Sequence, residues 1–414
     1  MLVYVINKHG KPLMPCKPSK ARKLLKQEKV KVIKKEPFTI QLLYGASNYK
    51  QEINLGVDCG SKMIGLSATT KTQELYSAEV ELRNDIVDLL STRRQYRRSR
   101  RSRLRYRKAR WNNRVKSKKK GWLAPSVENK INTHIKIIAD LYKILPITNI
   151  IVETASFDIQ KINNPDIKGK EYQEGNQLGF WNVREYVLFR DGHKCCVKGC
   201  KEKVLNVHHI ESRKTGGNAP NNLITICEKH HKQYHQGEIK LNLKRGKSFR
   251  DAAFMGIMRW TFYDRLKQIY PNVKNTYGYL TKNTRITNGL PKHHRVDARC
   301  ISGNPLAKPL KYWYYIKQVR RHNRQIHKAK ILKGGKKKLN QAPYLVKGFR
   351  LFDKVEYNSE IGFIFGRRSS GYFDVRTLGG NSISKSVSYK KLKLINTKKS
   401  LLIERMEWGV PPLA

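Results

Sequence analysis

The sequence is poor in acids: 31 Asp and Glu stand against 86 Lys and Arg, a formal net charge of +55 over 414 residues. Self-repulsion on that scale opposes a compact state unless a polyanion neutralises it, and solubility alone asks for only a few excess charges. A merely soluble basic surface is therefore disfavoured, and the expected partner is a nucleic acid. Long apolar runs are missing too. None reaches the roughly 18 to 20 residues that span a bilayer, and MLVYVINKHGKPLMPCK lacks the basic-then-apolar layout of a secretory signal. No membrane association is expected, and the cytoplasm is the expected location. Cysteine is scarce, seven in all with four of them between 195 and 227. That scarcity excludes a disulfide framework and fits a metal site in a reducing compartment. No internal repeat is present. What is there, 39% hydrophobic residues, suffices for the cores of two to four compact units.

The first stretch, VYVINKHGKPLMPCKPSKARKLLKQEKVKVIKKEPFTIQLLY, reads as a strand, a turn holding Pro12 and Pro15, a short basic helix at about 19–27 and two further strands. In EINLGVDCGSKMIGLSATT, Ile53, Leu55 and Val57 alternate on one face and the chain turns at Gly60, which predicts a hairpin with Asp58 at its turn end. Ile131, Ile135, Ile138, Leu141 and Leu145 recur at helical spacing, and ITNIIVETASFDI follows as a buried strand ending near Glu153. A polar stretch over 163–179 leads into a histidine-rich segment. Beyond it, FRDAAFMGIMRWTFYDRLKQIY predicts an amphipathic helix, and TYGYLTKNTRITNGLPKHHRVDARCISGN a strand, a loop and a helix that carries His294 and Asp297 on one face at i,i+3. From about 340 onward, short alternating segments with Gly-rich turns predict a small β-barrel or sandwich.

Residues 93–120 hold 16 Lys or Arg and no acid. Such a helix has no apolar face to bury, and each like-charge pair at i,i+4 destabilises it by about 0.2–0.5 kcal/mol. Ordered, it implies phosphates on most sides. Its candidate contacts are Arg93, Arg94, Arg97, Arg98, Arg100, Arg101, Arg103, Arg105, Arg107 and Arg110. Tyr96, Leu104, Tyr106 and Trp111 interrupt the run and weigh against a disordered tail.

VLNVHHIESRKTGGNAPNNLITICEKHHKQYH, residues 204–235, concentrates five histidines. Cys195-x4-Cys200 and Cys227-x2-His230 are two pairs with the layout of a closed structural zinc site, with Cys196 able to replace Cys195. His231 and His235 stack at i,i+4 and can hold one divalent cation together with His208. His209 is then free to take a proton from water near neutral pH. The Asn222 amide can bond that loop and hold the imidazole in orientation. This order and spacing resembles the HNH, or ββα-metal, nuclease motif.

Three acids are scattered: Asp58, Glu153 and Asp297, the last one turn beyond His294. Meeting at sheet ends, three carboxylates can hold two Mg2+ ions about 4 Å apart and activate a water for attack on a phosphodiester. Their order, in LGVDCGSKMIGLS, IIVETASF and HHRVDARC, resembles the three segments of a split RuvC nuclease, an RNase H-like fold. With GKPLMP at the N-terminus, an Arg-rich bridge helix, ARWNNR and GWLAPS before the second segment, an inserted HNH unit and a β-rich C-terminus, almost the entire chain is similar to IscB, the transposon-encoded (OMEGA) RNA-guided nucleases.

The resemblance implies an α/β architecture of a small N-terminal PLMP domain (1–52), RuvC segments at 53–92, 121–170 and 246–335, the bridge helix (93–120), the HNH domain (171–245) and a target-adjacent-motif reader (336–414). It implies Asp58, Glu153, His294 and Asp297 as the RuvC site with two Mg2+, and His209 as the HNH base beside one Mg2+ on His208, His231 and His235. Zn2+ on Cys195, Cys200, Cys227 and His230 is structural. The implied partners are a structured guide RNA and double-stranded DNA, one protein to one RNA, in a prokaryotic cytoplasm and at the nucleoid. The implied activity is a double-strand break, HNH cutting the guide-paired strand and RuvC the displaced one. Rival readings are a guide-independent, junction-resolving nuclease and an RNA-binding regulator that does not cleave. In this sequence the first HNH position is His208, where CRISPR relatives usually carry Asp.

Overall fold

Strand β1 (Val3–Ile6) pairs antiparallel with β2 (Pro12–Cys16), helix α1 (Pro18–Lys26) follows, and β3 (Val30–Lys34) and β4 (Thr39–Leu42) complete a sheet of order β2-β1-β4-β3. The computed structural model describes residues 1–47, 49–104, 121–154, 177–212, 217–246, 250–320 and 343–407. Pro12 and Pro15 lie within β2 rather than in the turn expected for them. The strand tolerates them because it is an edge, bonded to β1 alone, so a residue without an N–H leaves no second ladder broken. Ala21 of α1 closes the core over Val3, Val5, Leu13 and Ile40.

The chain divides into two units, one formed by Met1–Ala155 with Ile257–Ala414, the other by Ser156–Gly256. In the first, β5 (Asn54–Cys59), β6 (Met63–Thr69) and β7 (Glu74–Glu81) form an antiparallel meander, and α2 (Ile86–Leu104) follows. This helix begins seven residues before Arg93. Helix α3 (Pro125–Tyr142) buries Ile131, Ile137, Ile138 and Leu141, while Ile135, expected on that face, is only half-buried. Strand β8 (Asn149–Thr154) then runs parallel to β5.

In the second unit, α4 (Val183–Arg190) is capped by Asn182, whose side chain accepts from the Glu185 amide. Strands β9 (Leu205–His209) and β10 (Leu223–Cys227) form an antiparallel hairpin, and α5 (Glu228–Gln236) leaves its end. Arg190 of α4 donates to the carbonyls of Pro220 and Leu223, tying helix to hairpin.

The first unit resumes at Ile257, within α6 (Arg250–Ile269), which buries Met258, Phe262 and Leu266 at i,i+4 spacing, and continues with β11 (Val273–Tyr277), parallel to β8. Residues expected as a loop form helix α7 (Gly278–Thr287); only Thr281 is buried there, so no apolar stripe announces it. Helix α8 (His294–Ile301) follows. Strand β12 (Tyr312–Gln318) adds parallel to β7. Strands β13 (Lys354–Tyr357), β14 (Glu360–Arg367), β15 (Tyr372–Arg376), β16 (Ser382–Ser388) and β17 (Lys393–Asn396) make one open antiparallel sheet of order β16-β15-β14-β13-β17, not the barrel or sandwich expected. The last strand, β18 (Leu401–Glu407), joins the main sheet instead, giving the order β11-β8-β5-β6-β7-β12-β18. Trp313, Phe363 and Leu402 bury together and weld the two sheets. Among the described residues, no helix is long and apolar enough to cross a membrane.

Candidate metal centres

The acid centre lies where α8 crosses the main sheet. In β5, Leu55, Val57 and Cys59 face one way, and Gly56 and Asp58 the other, toward α8. Two glycines set the helix height. A Cβ on Gly56 would stand 1.9 Å from the Ala298 carbonyl oxygen, and one on Gly65, the cross-strand partner of Asp58, 1.9 Å from that of His294. Only a bare backbone lets the helix come close enough for His294 Nδ1 to reach Asp58 Oδ2 at 2.6 Å. Arg295 anchors the same turn: its guanidinium pairs with Glu79 of β7 at 3.0 Å, both groups buried, and lies 4.4 Å from the Trp313 ring centroid.

Each remaining carboxylate also has a cation. Arg259 of α6 sits 3.2 Å from Glu153, and Arg285 Nε 2.9 Å from Asp297 Oδ1, off the hydrogen-bond line, so that this buried oxygen accepts no hydrogen bond. Burial, then the charge of Asp58, pushes the Glu153 carboxyl above its ordinary value against the pull of Arg259. Asp297 is raised for the same two reasons. The Asp58 hydrogen bond raises His294 against the opposing effect of burial. The acids thus feel one another, though they do not all close to within 4.8 Å. Oxygen donors, mutual repulsion and an unsatisfied Asp297 oxygen suit a hard divalent cation such as Mg2+. Arg259, Arg285, Glu79, Gly56 and Gly65 were not singled out from the sequence. The glycines in the quoted LGVDCGSKMIGLS carried the one available signal, since Gly inside a strand marks a close backbone approach.

The histidine-rich unit brings together two clusters. Cys227 is the N-cap of α5, its sulfur accepting from the His230 amide, so the first helical turn aims His230 back at the cysteines while His231 and His235 continue on the next face. Cys195 Sγ lies 3.6 Å from His230 Nδ1 and Cys200 Sγ 3.8 Å from Cys227 Sγ; all four ligand atoms fall within 4.8 Å. Tetrahedral zinc with bonds of about 2.0–2.3 Å separates its ligands by roughly 3.5–3.8 Å, so these four residues fit a closed zinc site. Cys195 rather than Cys196 is in the cluster. Burial opposes its ionisation, but hydrogen bonds from the backbone at Val197 and Cys227 bring the Cys195 thiol down to about 7, while burial pushes Cys196 up to about 11.

His208, His231 and His235 form the second cluster, ring nitrogens 3.1 and 3.2 Å apart in succession. Burial, then the neighbouring imidazoles, holds His208 down at about 4, and burial lowers His231. Both rings are therefore neutral near pH 7, as ligands must be. His209, next along β9, is not in the cluster; its Nε2 lies 3.0 Å from Asn218 Oδ1. Asn222 is fully buried, its amide donating to the carbonyls of Glu211 and Gly217 and its oxygen accepting from the Glu211 amide. It pins the loop that leaves His209. All three cluster donors are neutral nitrogens, which suit Mg2+ poorly.

Of the basic-helix residues, Arg93, Arg94 and Arg97 are exposed on α2. Arg98, Arg100, Arg101 and Arg103 continue its backbone, their side chains outside the described residues; Arg105, Arg107 and Arg110 lie outside them altogether.

Residues 3–175 match the RRXRR protein family, under half of the chain, and this stretch contains RRSRR at 97–101. No curated protein matches. Among solved structures, Streptococcus thermophilus Cas9 in complex with the AGAA PAM overlaps at 14% identity and a TM-score of 0.32, and Cas9 of the same organism with the GGAA PAM at 16% and 0.31. Each overlap covers 50% of this chain and 30% of the Cas9 chain. Scores this low do not define a shared fold.

Proposed function

We propose that the chain is an RNA-guided DNA endonuclease. The observation that carries this reading is the presence, in one strongly basic chain, of two chemically distinct hydrolytic constellations: carboxylates under α8, and imidazoles beside a zinc-type cysteine frame. One guide RNA per protein would neutralise the basic surfaces and pair with one DNA strand, the protein holding the heteroduplex by backbone and shape. Exposed Arg93, Arg94 and Arg97, with the arginines that follow, are the proposed phosphate contacts.

At the acid centre Asp58, Glu153 and Asp297 would hold two Mg2+, which supply Lewis-acid stabilisation of an in-line displacement. His294 is held by Asp58 and would take the proton of the attacking water. Arg259 and Arg285, which pair with Glu153 and Asp297, would hold those carboxylates in place. In the second unit, His208, His231 and His235 would hold a divalent cation that polarises the scissile phosphate. His209 accepts the water's proton, and Asn222 keeps its loop in place. The domain boundaries read from the sequence, with HNH cutting the guide-paired strand, RuvC the displaced strand and 336–414 reading the target-adjacent motif, belong to this proposal.

Expression with flanking DNA, sequencing of the copurifying RNA and cleavage of a matching plasmid with randomised flanks tests it. A discrete RNA and cleavage abolished by EDTA support guidance. Cleavage of branched DNA by RNA-free protein supports a junction-resolving enzyme, and RNA binding with no cleavage a regulator.

A further inference from the structure

The donor atom decides which metal a site takes, and the two candidate centres differ in it. His208 Nδ1 lies 3.1 Å from His231 Nε2, which lies 3.2 Å from His235 Nε2. The three nitrogens fall within 4.8 Å of one another, and no carboxylate among the described residues joins them. Nitrogens bound to one ion at about 2.0–2.1 Å with ordinary bond angles lie roughly 2.9–3.4 Å apart, and both successive separations fall in that range. Mg2+ keeps its waters, asks for octahedral oxygen and binds chiefly through carboxylate charge. Three neutral imidazoles offer it none of these. For divalent first-row ions, affinity climbs from manganese through cobalt and nickel to copper and falls again at zinc, and imidazole suits nickel, copper and zinc.

We infer that His208, His231 and His235 bind a nitrogen-preferring divalent transition ion, Zn2+, Co2+ or Ni2+, and not Mg2+, so that the two candidate centres work with different metals. The cysteine frame uses all four of its tetrahedral positions, whereas three imidazoles leave at least one open for phosphate or water. A zinc in the frame would therefore be closed to chemistry, and an ion on the imidazoles would not. The ion's presence rests on ligand geometry alone; only its use rests on the endonuclease reading.

The test titrates the full-length chain with Co2+ in the presence of a large excess of Mg2+, after a chelator treatment that leaves the thiolate-held zinc in place. Thiolate-ligated Co2+ shows an intense near-ultraviolet charge-transfer band, and imidazole-ligated Co2+ lacks it. One equivalent of Co2+ without that band, undisturbed by Mg2+, is expected. It should be lost in a His231→Gln, His235→Gln double variant that keeps its zinc and its circular dichroism. Displacement of Co2+ by Mg2+, or full retention in that variant, overturns the assignment. Should the double variant lose its zinc, His235→Gln alone decides, since its side chain sits exposed in the last turn of α5: weakened Co2+ binding supports the site, unchanged binding overturns it. Co2+ bound as stated with no cleavage of the guide-paired strand under any ion defeats the endonuclease reading and leaves the metal assignment standing. Cleavage of that strand with Mg2+ as the sole added ion, by protein holding only its thiolate zinc, does the reverse.

Discussion

Every residue of the cysteine and imidazole clusters comes from one span, Cys195 to His235, carried on the turns before β9, a hairpin and a nine-residue helix. The acid centre is assembled the other way: Asp58 and His294 meet across 236 residues, and Glu153 arrives on a third element. Helix α5 has no buried residue, so a metal would supply much of the stability that holds it on the hairpin. The distributed centre rests on buried strands and one close helix crossing. Local ligand sets should therefore fail on metal loss, and distributed ones on packing defects.

The largest expected effect separates them outright. Cys200→Ser with Cys227→Ser removes two zinc thiolates, and structural zinc in small domains is worth on the order of 10 kcal/mol. Hydrogen exchange should show the unit from Ser156 to Gly256 losing protection, with cleavage of the displaced strand retained. The converse break is Glu79→Gln, which leaves Arg295 charged and buried under α8 at a cost of about 3–5 kcal/mol. Denaturant unfolding should locate the loss in the main-sheet unit, leaving zinc content unchanged. Gly65→Ala is smaller, about 1–3 kcal/mol of overpacking, but it pushes the His294 backbone away and should lower displaced-strand cleavage far more than it lowers the denaturation midpoint. Asn222→Ala, which strands the Glu211 amide and two loop carbonyls, should cost a similar 1–3 kcal/mol, roughly, and slow only the guide-paired cut.

The smallest effect is a titration. His294 has a folded value above the ordinary 6.5, because Asp58 bonds its protonated form, with Glu79 and Asp297 adding in the same direction. Its contribution to stability is full below 6.5 and fades as pH rises through the folded value. NMR titration should find the midpoint above 6.5, and Asp58→Asn should lower it; an unmoved midpoint would disconnect the pair.

The same contrast governs what could be read from the letters. Contiguous signals were legible: the β5–β6 hairpin, helices α3 and α8 and strand β8 stand where periodicity places them. In the histidine-rich segment the side chains grouped by i,i+4 and Cys-x2-His spacing do lie together, because short turns, one hairpin and one helix convert spacing into proximity. Strands β7, β12 and β18 were missed; β7 is buried almost throughout, so no alternation marks it, and β12 is an aromatic run without polar interruption. The cations opposite the acids escaped as well, since nothing near Arg259 or Arg285 in the chain announces Glu153 or Asp297 as a neighbour.

Strand-resolved cleavage by the ribonucleoprotein tests the central claim, two independent centres on one RNA-paired duplex, most directly. Asp58→Ala should leave a nick in the guide-paired strand alone, His209→Ala a nick in the displaced strand alone, and the double variant an intact duplex. One substitution abolishing both cuts, or both cuts surviving either substitution or digestion of the RNA, would contradict it.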